Sequence, residues 1–194
     1  MSSGARSRWK WSSAPECRLT AMDVPGTETE SALARRASRL LRERGLTLAV
    51  AEGTTGGRIG ERLVRYAGAS AFFKGAVVTY DYPSRTRLLG IPEALLQEHG
   101  SVSEEAVKAM AEGVRSAFGV DVGLASSGIA GPAGGRGGKP VGLVWLAVAT
   151  PSGTTARPHQ LRPASRLALQ ERFTALALHM LCEVLSGETA SSER

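Results

Sequence analysis

Aromatic residues are scarce in this chain, at 5% of 194 residues. Cysteine is scarcer, with Cys17 and Cys182 alone, and histidine is limited to His99, His159 and His179. No apolar run approaches the ~20 residues that a membrane-spanning helix needs. Each shortage excludes something. Cys17 sits in a Ser/Arg-rich stretch and Cys182 in an apolar helical pattern, far apart in sequence. They do not form a disulfide framework, and a reducing cytoplasm is the simple expectation. The three histidines lack the spacing of a metal site, and His179, on an apolar helical pattern, is expected to be packed. The N-terminus lacks the apolar core of a secretory signal. Few aromatics beside 23 glycines suit an α/β protein with tight turns better than an all-β sandwich.

What is present fits one globular domain. Hydrophobic residues make up 42% of the chain, enough for a sizeable core plus tails. The net charge is +6, but it is uneven. Arg6, Arg8, Lys10 and Arg18 against Glu16 place +3 of it in residues 1–21. Residues 1–25 are expected to be a disordered basic extension, 26–187 the folded domain and 188–194 a disordered tail. Met22, just ahead of the first helical pattern, is a candidate start. Arg35, Arg36, Arg39, Arg42 and Arg44 alternate with acids and apolar residues, which favours a solvated helix face over a nucleic-acid surface.

The pattern along the chain alternates strands and helices. Thr27-Glu28-Thr29-Glu30 reads as a capping box with Thr27 as the cap. Leu33, Ala37, Leu40 and Leu41 follow at helical spacing and Gly45 ends the helix. Residues 46–51 read as a buried strand. A turn at 52–55 feeds a helix from Gly56 to Tyr66, and Lys74–Tyr80 is a second strand. Short helices are expected at Arg85–Leu89 and Pro92–Glu98. Ser103 caps a strong helix with Val107, Met110, Val114 and Phe118 inward. Val120–Ser126 and Val141–Thr150 are strands, and Thr154–Leu161 pairs with the latter as a hairpin. A last helix spans Ser165–Leu185, with Leu169, Phe173, Leu176, Met180 and Val184 inward. The order predicts a three-layer α/β/α sandwich with a mixed, mostly parallel sheet. Ligands in such folds bind beyond the carboxyl ends of the strands.

Three segments lie where chemistry would be. The turn Glu52-Gly53-Thr54-Thr55-Gly56-Gly57 offers backbone N–H groups, two hydroxyls and glycines that allow close approach. It is neither a Walker loop nor a dinucleotide fingerprint, and a tight β–α connection needing no ligand explains it equally well. Residues 128–138 hold six glycines, and with Pro132, Arg136, Lys139 and Pro140 they present backbone donors and a cation suited to a phosphate. Tyr80, at a strand end, is placed to orient a substrate or relay a proton, or else simply to pack at the sheet edge. No paired-carboxylate or Ser/His/Asp arrangement stands out.

Together these segments resemble the CinA C-terminal domain family, the nicotinamide mononucleotide (NMN) amidohydrolases. The resemblance runs from about residue 28 to 185. It rests on Ala51-Glu52-x-x-Thr55-Gly56-Gly57, Gly68-Ala69-Ser70-Ala71-Phe72-Phe73, Leu89-Gly90-Ile91-Pro92, His99-Gly100-Ser101-Val102-Ser103-Glu104, Gly128-Ile129-Ala130-Gly131-Pro132 and Lys139-Pro140-Val141-Gly142-x-Val144-Trp145. It implies hydrolysis of the NMN carboxamide to nicotinic acid mononucleotide and ammonia, with no metal and no cofactor. It also implies a small-molecule nucleotide as partner, and self-association.

The resemblance further implies a serine nucleophile in Ala-Glu-Ser-Cys-Thr-Gly-Gly and a lysine base in Tyr-Ser-Asn-x-x-Lys. Here those positions are Gly53 and Arg85. Glycine cannot form an acyl-enzyme, and arginine, with a pKa above ~12, is no general base near neutrality. The family's Gly-Asp-Arg ahead of the last helix is matched at Arg162, with Gln160 and Leu161 replacing the pair before it. The binding equipment that the resemblance carries over is Gly53, Thr55, Gly56, Gly57, Tyr80, Ser127, Gly128, Gly131, Lys139 and Arg162, with Arg85 as a charge for phosphate. Two readings follow: a nucleotide-binding homologue whose covalent chemistry is weakened or lost, or a working amidohydrolase with Thr54 or Thr55 as substitute nucleophile. A third, nucleic-acid binding by the basic surface, would require salt-dependent DNA affinity that survives loss of residues 1–21.

Overall fold

The computed structural model describes residues 28–187. The expectations for residues 1–25 and 188–194, and for Cys17, Met22 and Thr27, fall outside that range. The elements follow in the order α1 (Glu30–Glu43), β1 (Leu48–Glu52), α2 (Arg58–Val64), β2 (Phe73–Val78), α3 (Tyr82–Leu89), α4 (Glu93–His99), α5 (Glu104–Phe118), β3 (Val122–Gly128), β4 (Leu143–Thr150), β5 (Gly153–Gln160) and α6 (Arg166–Ser186).

The strands form one sheet in the order β2-β1-β3-β4-β5. β1 pairs parallel with β2 and β3, β4 runs antiparallel to β3, and β5 antiparallel to β4. Thus β1, β2, β3 and β5 point one way and β4 the other. Side chains alternate between the two faces of the sheet. Leu48, Val50, Leu124, Val144, Leu146 and Val148 face one layer and pack with α1, α2 and α6. Ala49, Ala51, Ala125, Ala147 and Ala149 face the other and pack with α3, α4 and α5. The alanine face lets α5 lie close. A β-carbon on Gly123 would come within 2.1 Å of the Ala111 carbonyl oxygen, so only glycine fits there.

Several element boundaries moved from expectation for identifiable reasons. The cap of α1 is Thr29, whose hydroxyl accepts from the Ala32 N–H at 3.2 Å; the Thr-Glu repeat offers two frames, and the helix takes the later one. Thr47 lies outside β1, because the Asp121 carboxylate accepts from its N–H at 2.8 Å and its hydroxyl at 2.7 Å. Helix α2 starts at Arg58 rather than Gly56, since Gly56 and Gly57 hold left-handed φ of +63° and +98°. Helix α3 starts at Tyr82 rather than Arg85. Asp81 caps it by accepting from the Ser84 N–H at 2.9 Å, and Pro83 suits the first turn. In α6 the fully packed residue of the last turn is Leu185, with Val184 only half-buried. Ser103 caps α5 as expected, and Ser165, expected as the first residue of the last helix, is its cap.

Among the described residues no helix is long and apolar enough to cross a membrane. The carboxyl ends of β1, β2 and β3 and the start of β4 share one edge of the sheet. The turn 53–57, the β2–α3 junction, the loop 129–142 and the entry to α6 all gather there.

Candidate functional site

Glu52 ends β1 with its side chain fully buried. Its carboxylate accepts from the backbone N–H groups of Gly57 at 3.0 Å, Ile59 at 3.2 Å and Gly60 at 2.9 Å. Those are the unpaired donors at the start of α2, whose cap residue Gly57 has no side chain to serve them. A negative charge there is also favoured by the helix dipole. Glu52 therefore holds the turn in place from behind, a role the motif did not disclose.

Gly53 is buried and its N–H donates to the Ser126 carbonyl at 2.9 Å. Beside it lies Arg85, 3% exposed. The early start of α3 puts this arginine within the helix, turned inward. Its Nε donates to the Thr79 carbonyl at 3.3 Å, Nη1 to the Ser101 carbonyl at 2.8 Å and Nη2 to the Ser127 hydroxyl at 3.1 Å. Ser127, also buried, donates in turn to the Ser101 carbonyl at 2.6 Å. All three acceptors are neutral. No carboxylate of the described residues pairs with Arg85. Burial pushes the Arg85 pKa below its ordinary value, but a guanidinium keeps its proton in proteins.

The two threonines diverge. Thr55 is 4% exposed and its hydroxyl is hydrogen-bonded to that of Ser126 at 2.8 Å. Thr54 reaches the open side of the edge. Its hydroxyl donates to the Gly128 carbonyl and accepts from the Gly128 N–H at 3.1 Å. The Thr54 hydroxyl proton is thus directed at a carbonyl oxygen, which cannot serve as a base. Gln170 fixes the turn from α6 by donating to the Thr54 carbonyl at 2.8 Å.

A cleft of about 670 Å³ opens at this edge, floored by Thr54 and Gly128 and walled by Ser101, Gly131, Lys139 and Arg166. Its volume lies in the range of small-molecule sites. Tyr80, 66% exposed, stands at its mouth. Arg166, in the first turn of α6, donates to the Tyr80 hydroxyl at 2.5 Å and the Gly131 carbonyl at 2.8 Å. Lys139 donates to the carbonyls of His99 at 3.1 Å and Val102 at 2.5 Å. It pins the glycine-rich loop to the start of α5, and burial lowers its pKa.

The residues singled out in the sequence therefore fall into four groups. Gly53, Arg85 and Ser127 meet in a buried cluster behind the Thr54–Gly128 floor and do not line the cleft. Thr54, Tyr80, Gly128, Gly131 and Lys139 line the cleft. Thr55, Gly56 and Gly57 border a separate depression with Arg58, Glu61, Arg62, Arg65 and Gln170. Arg162 is exposed and lines neither. The arginine that reaches the cleft is Arg166, directly after the Ser165 cap. Ser101, whose carbonyl receives both Arg85 and Ser127, lay within a motif of the sequence but was not singled out as a site residue.

Several arginines elsewhere have partners. Arg58 and Arg62 converge on Glu30, at 3.2 and 2.5 Å. Arg35 stacks over the Tyr66 ring at 5.3 Å. Among the described residues no group of three or more His, Cys, Asp and Glu is placed to hold a metal ion.

Comparison with known proteins places this geometry in context. The model of the CinA C-terminal domain matches residues 30–185. A CinA-like protein of Gemmatimonas aurantiaca is 39% identical over 197 residues, covering 89% of this chain and 46% of that protein. One from Syntrophus aciditrophicus is 46% identical over 151 residues, covering 78% and 36%. The chain thus spans under half the length of these curated relatives. A competence-damaged protein (CinA) superfamily structure from Klebsiella pneumoniae superposes with a TM-score of 0.80 at 31% identity, covering 82% of this chain and 99% of that one. The competence/damage inducible protein CihA of Agrobacterium tumefaciens gives 0.77 at 33%, covering 81% and 95%.

Proposed function

The chain belongs to the CinA C-terminal domain family, and from that premise we propose that it binds a pyridine mononucleotide in the cleft without the amidohydrolase chemistry. One observation carries this reading. The position of the nucleophile is a buried glycine, and the guanidinium of Arg85 lies against it. A nucleophilic route needs a hydroxyl or thiol and a base to accept its proton. Gly53 offers no such group, and Arg85 cannot accept a proton.

The rest of the cleft supports ligand binding. Tyr80, Arg166, Lys139 and the backbone of the 128–135 loop converge on one space of suitable size. An arginine at the mouth suits a phosphate, and Tyr80 beside it presents a ring to stack on. Of the two candidate substitute nucleophiles, Thr54 alone faces the cleft, and its hydroxyl is occupied on both sides by Gly128.

The test is ammonia release from NMN by purified wild type, Gly53→Ser, and Gly53→Ser/Arg85→Lys. The expected result is an inert wild type and turnover only in the double variant, because Arg85 crowds a side chain at position 53. Wild-type turnover of ~1 per second or more, the range of ordinary enzymes, would overturn the reading. Thr54→Ala would then identify the nucleophile.

A further inference from the structure

We propose that the groove between α1 and the α2–β2 connection (residues 65–72) is a track for single-stranded nucleic acid. It shares no lining residue with the cleft, so it is independent of the mononucleotide reading.

The arginines of α1 are not neutralised as the sequence suggests. In sequence they stand among acids, the pattern of a solvated face. In the structure those acids go elsewhere or pair weakly. Glu30 turns to Arg58 and Arg62 on α2. Glu28 pairs with Arg36 at 3.6 Å. Glu43 comes only to 3.9 Å from Arg39, with both side chains more than 60% exposed, where such a pair contributes little. Arg35 and Arg42 have no carboxylate partner among the described residues.

Four arginines gather on one side of the helix. Arg35, Arg36, Arg39 and Arg42 follow at spacings that share a face. With Tyr66 they line a depression of about 640 Å³, and Glu28 is the one acid among the described residues lining it. Arg35 lies over the Tyr66 ring, 5.3 Å from its centre. The Arg42 Nε donates to the Ser38 carbonyl at 3.2 Å, which anchors the stem. Its Nη1 lies 3.5 Å from where a β-carbon on Gly68 would sit. The two guanidinium groups therefore reach from the helix to the facing connection, one at Tyr66 and one at Gly68. They are about 10 Å apart along the helix axis, at 1.5 Å per residue, and Arg39 falls between them.

That arrangement selects among anions. The cations are spread along a line, which fits an extended polyanion; a lone phosphate would need them to converge on one point. Guanidinium planes and a tyrosine ring also offer flat faces for bases. A basic groove with such faces holds single strands without reading their sequence. An acidic peptide would meet the charges but has no ring to place on those faces. Residues 1–21, ahead of the helix, have the same sign through Arg6, Arg8, Lys10 and Arg18 against Glu16, which adds to the positive field.

Fluorescence anisotropy of a labelled oligothymidylate of about 20 nucleotides, longer than a single-strand site, tests this on the full chain. Wild type is compared with Arg6→Ser/Arg8→Ser/Lys10→Ser/Arg18→Ser, and both are expected to bind. In the second, affinity should fall about twentyfold between about 50 and about 200 mM salt, as about three phosphate contacts require. Adding Arg35→Gln/Arg39→Gln/Arg42→Gln to it should weaken binding by about tenfold or more and flatten the salt dependence. Tyr66→Leu should cost about tenfold. The three arginines are exposed, so their variant keeps the unfolding midpoint and decides the matter even if Tyr66→Leu does not fold. Loss of binding on removing the four charges ahead of the helix, or an arginine variant that binds undiminished, overturns the groove. Competition by polyglutamate as strong as by unlabelled oligothymidylate, tighter binding of duplex than of single strand, or a folded Tyr66→Leu variant with unchanged affinity overturns the single-strand assignment.

Discussion

The Arg85 guanidinium and Gly53 share one space. A β-carbon on residue 53 would stand 3.0 Å from Nη2, tighter than ordinary contact, although the backbone at Gly53 is not in the left-handed region. The glycine is needed there for room rather than for φ. A shorter side chain at 85 and a longer one at 53 would be compatible, and so are the glycine and arginine found here. The two positions constrain each other sterically.

A double-mutant cycle measures that constraint. Gly53→Ala alone should destabilise the protein by about 1–2 kcal/mol, the usual cost of overpacking. In an Arg85→Met background, whose side-chain end is uncharged and freer to move, the same change should cost less. The expected coupling is about 1 kcal/mol, in the range for residues in contact. Urea unfolding midpoints of the four proteins supply the number. Additive effects would mean that the guanidinium does not crowd position 53.

Glu52 should prove to be the most demanding polar residue of the turn. Three N–H groups at the start of α2 depend on its carboxylate, which is wholly buried. Glu52→Gln keeps an acceptor oxygen but adds a buried NH₂ without a partner, at a cost of about 2 kcal/mol. Glu52→Ala leaves all three donors unmet beside a cavity, and should cost more than about 3 kcal/mol. Chemical denaturation of both variants checks the ranking; equal stabilities would show that the α2 donors find other acceptors.

The layers of the fold were legible because they follow from periodicity. Runs such as 48–51 and 143–149 are apolar throughout, and the helices carry apolar stripes at helical spacing. Ser103 and Ser165 marked their helices correctly. Asp81 was overlooked as a cap, although Asp-x-Pro-Ser is a helix start. That omission hid the inward turn of Arg85 and left it assigned to a phosphate at the surface. The site was legible only as a set of loops at one edge. Which side of a turn a residue faces is set by backbone conformation, so Thr54 and Thr55 could not be separated until Gly56 and Gly57 were seen in left-handed geometry. The structure puts Arg166 rather than Arg162 at the cleft, directly after a serine cap whose position the sequence pattern already suggested as a helix start.

That exchange carries its own prediction. Arg166 lines the cleft and bridges Tyr80 and Gly131, while Arg162 is exposed outside it. Arg166→Ala should weaken mononucleotide binding about tenfold, the equivalent of ~1.4 kcal/mol. It should leave the unfolding midpoint nearly unchanged, as surface substitutions do. Arg162→Ala should alter neither. Titration calorimetry on the two variants separates the alternatives, and a loss confined to Arg162→Ala would restore the original assignment.

Acid should act on this protein first through His159. It sits on β5 beside Arg157, and its pKa is lowered from 6.5 to about 4, chiefly by burial and then by the Arg157 charge; Glu183 opposes the shift. In the unfolded chain the imidazole takes up a proton as pH falls through 6.5, while in the folded protein it stays neutral until about 4. Across that window the unfolded state binds more protons, so stability falls as pH falls and levels off below about 4. The ring is only half-buried, so the full shift overstates the loss, and on the order of 2 kcal/mol is expected. Asp81 and Asp121, whose pKa values are lowered from 3.8 by hydrogen bonds from Ser84 and Thr47, stabilise the fold at higher pH. Their contribution is lost only on further acidification, so the interval from pH 6.5 to 5 isolates the histidine. Thermal melts of wild type across it should show a falling midpoint, and His159→Gln should flatten the slope. A slope that survives the substitution would place the responsible group elsewhere.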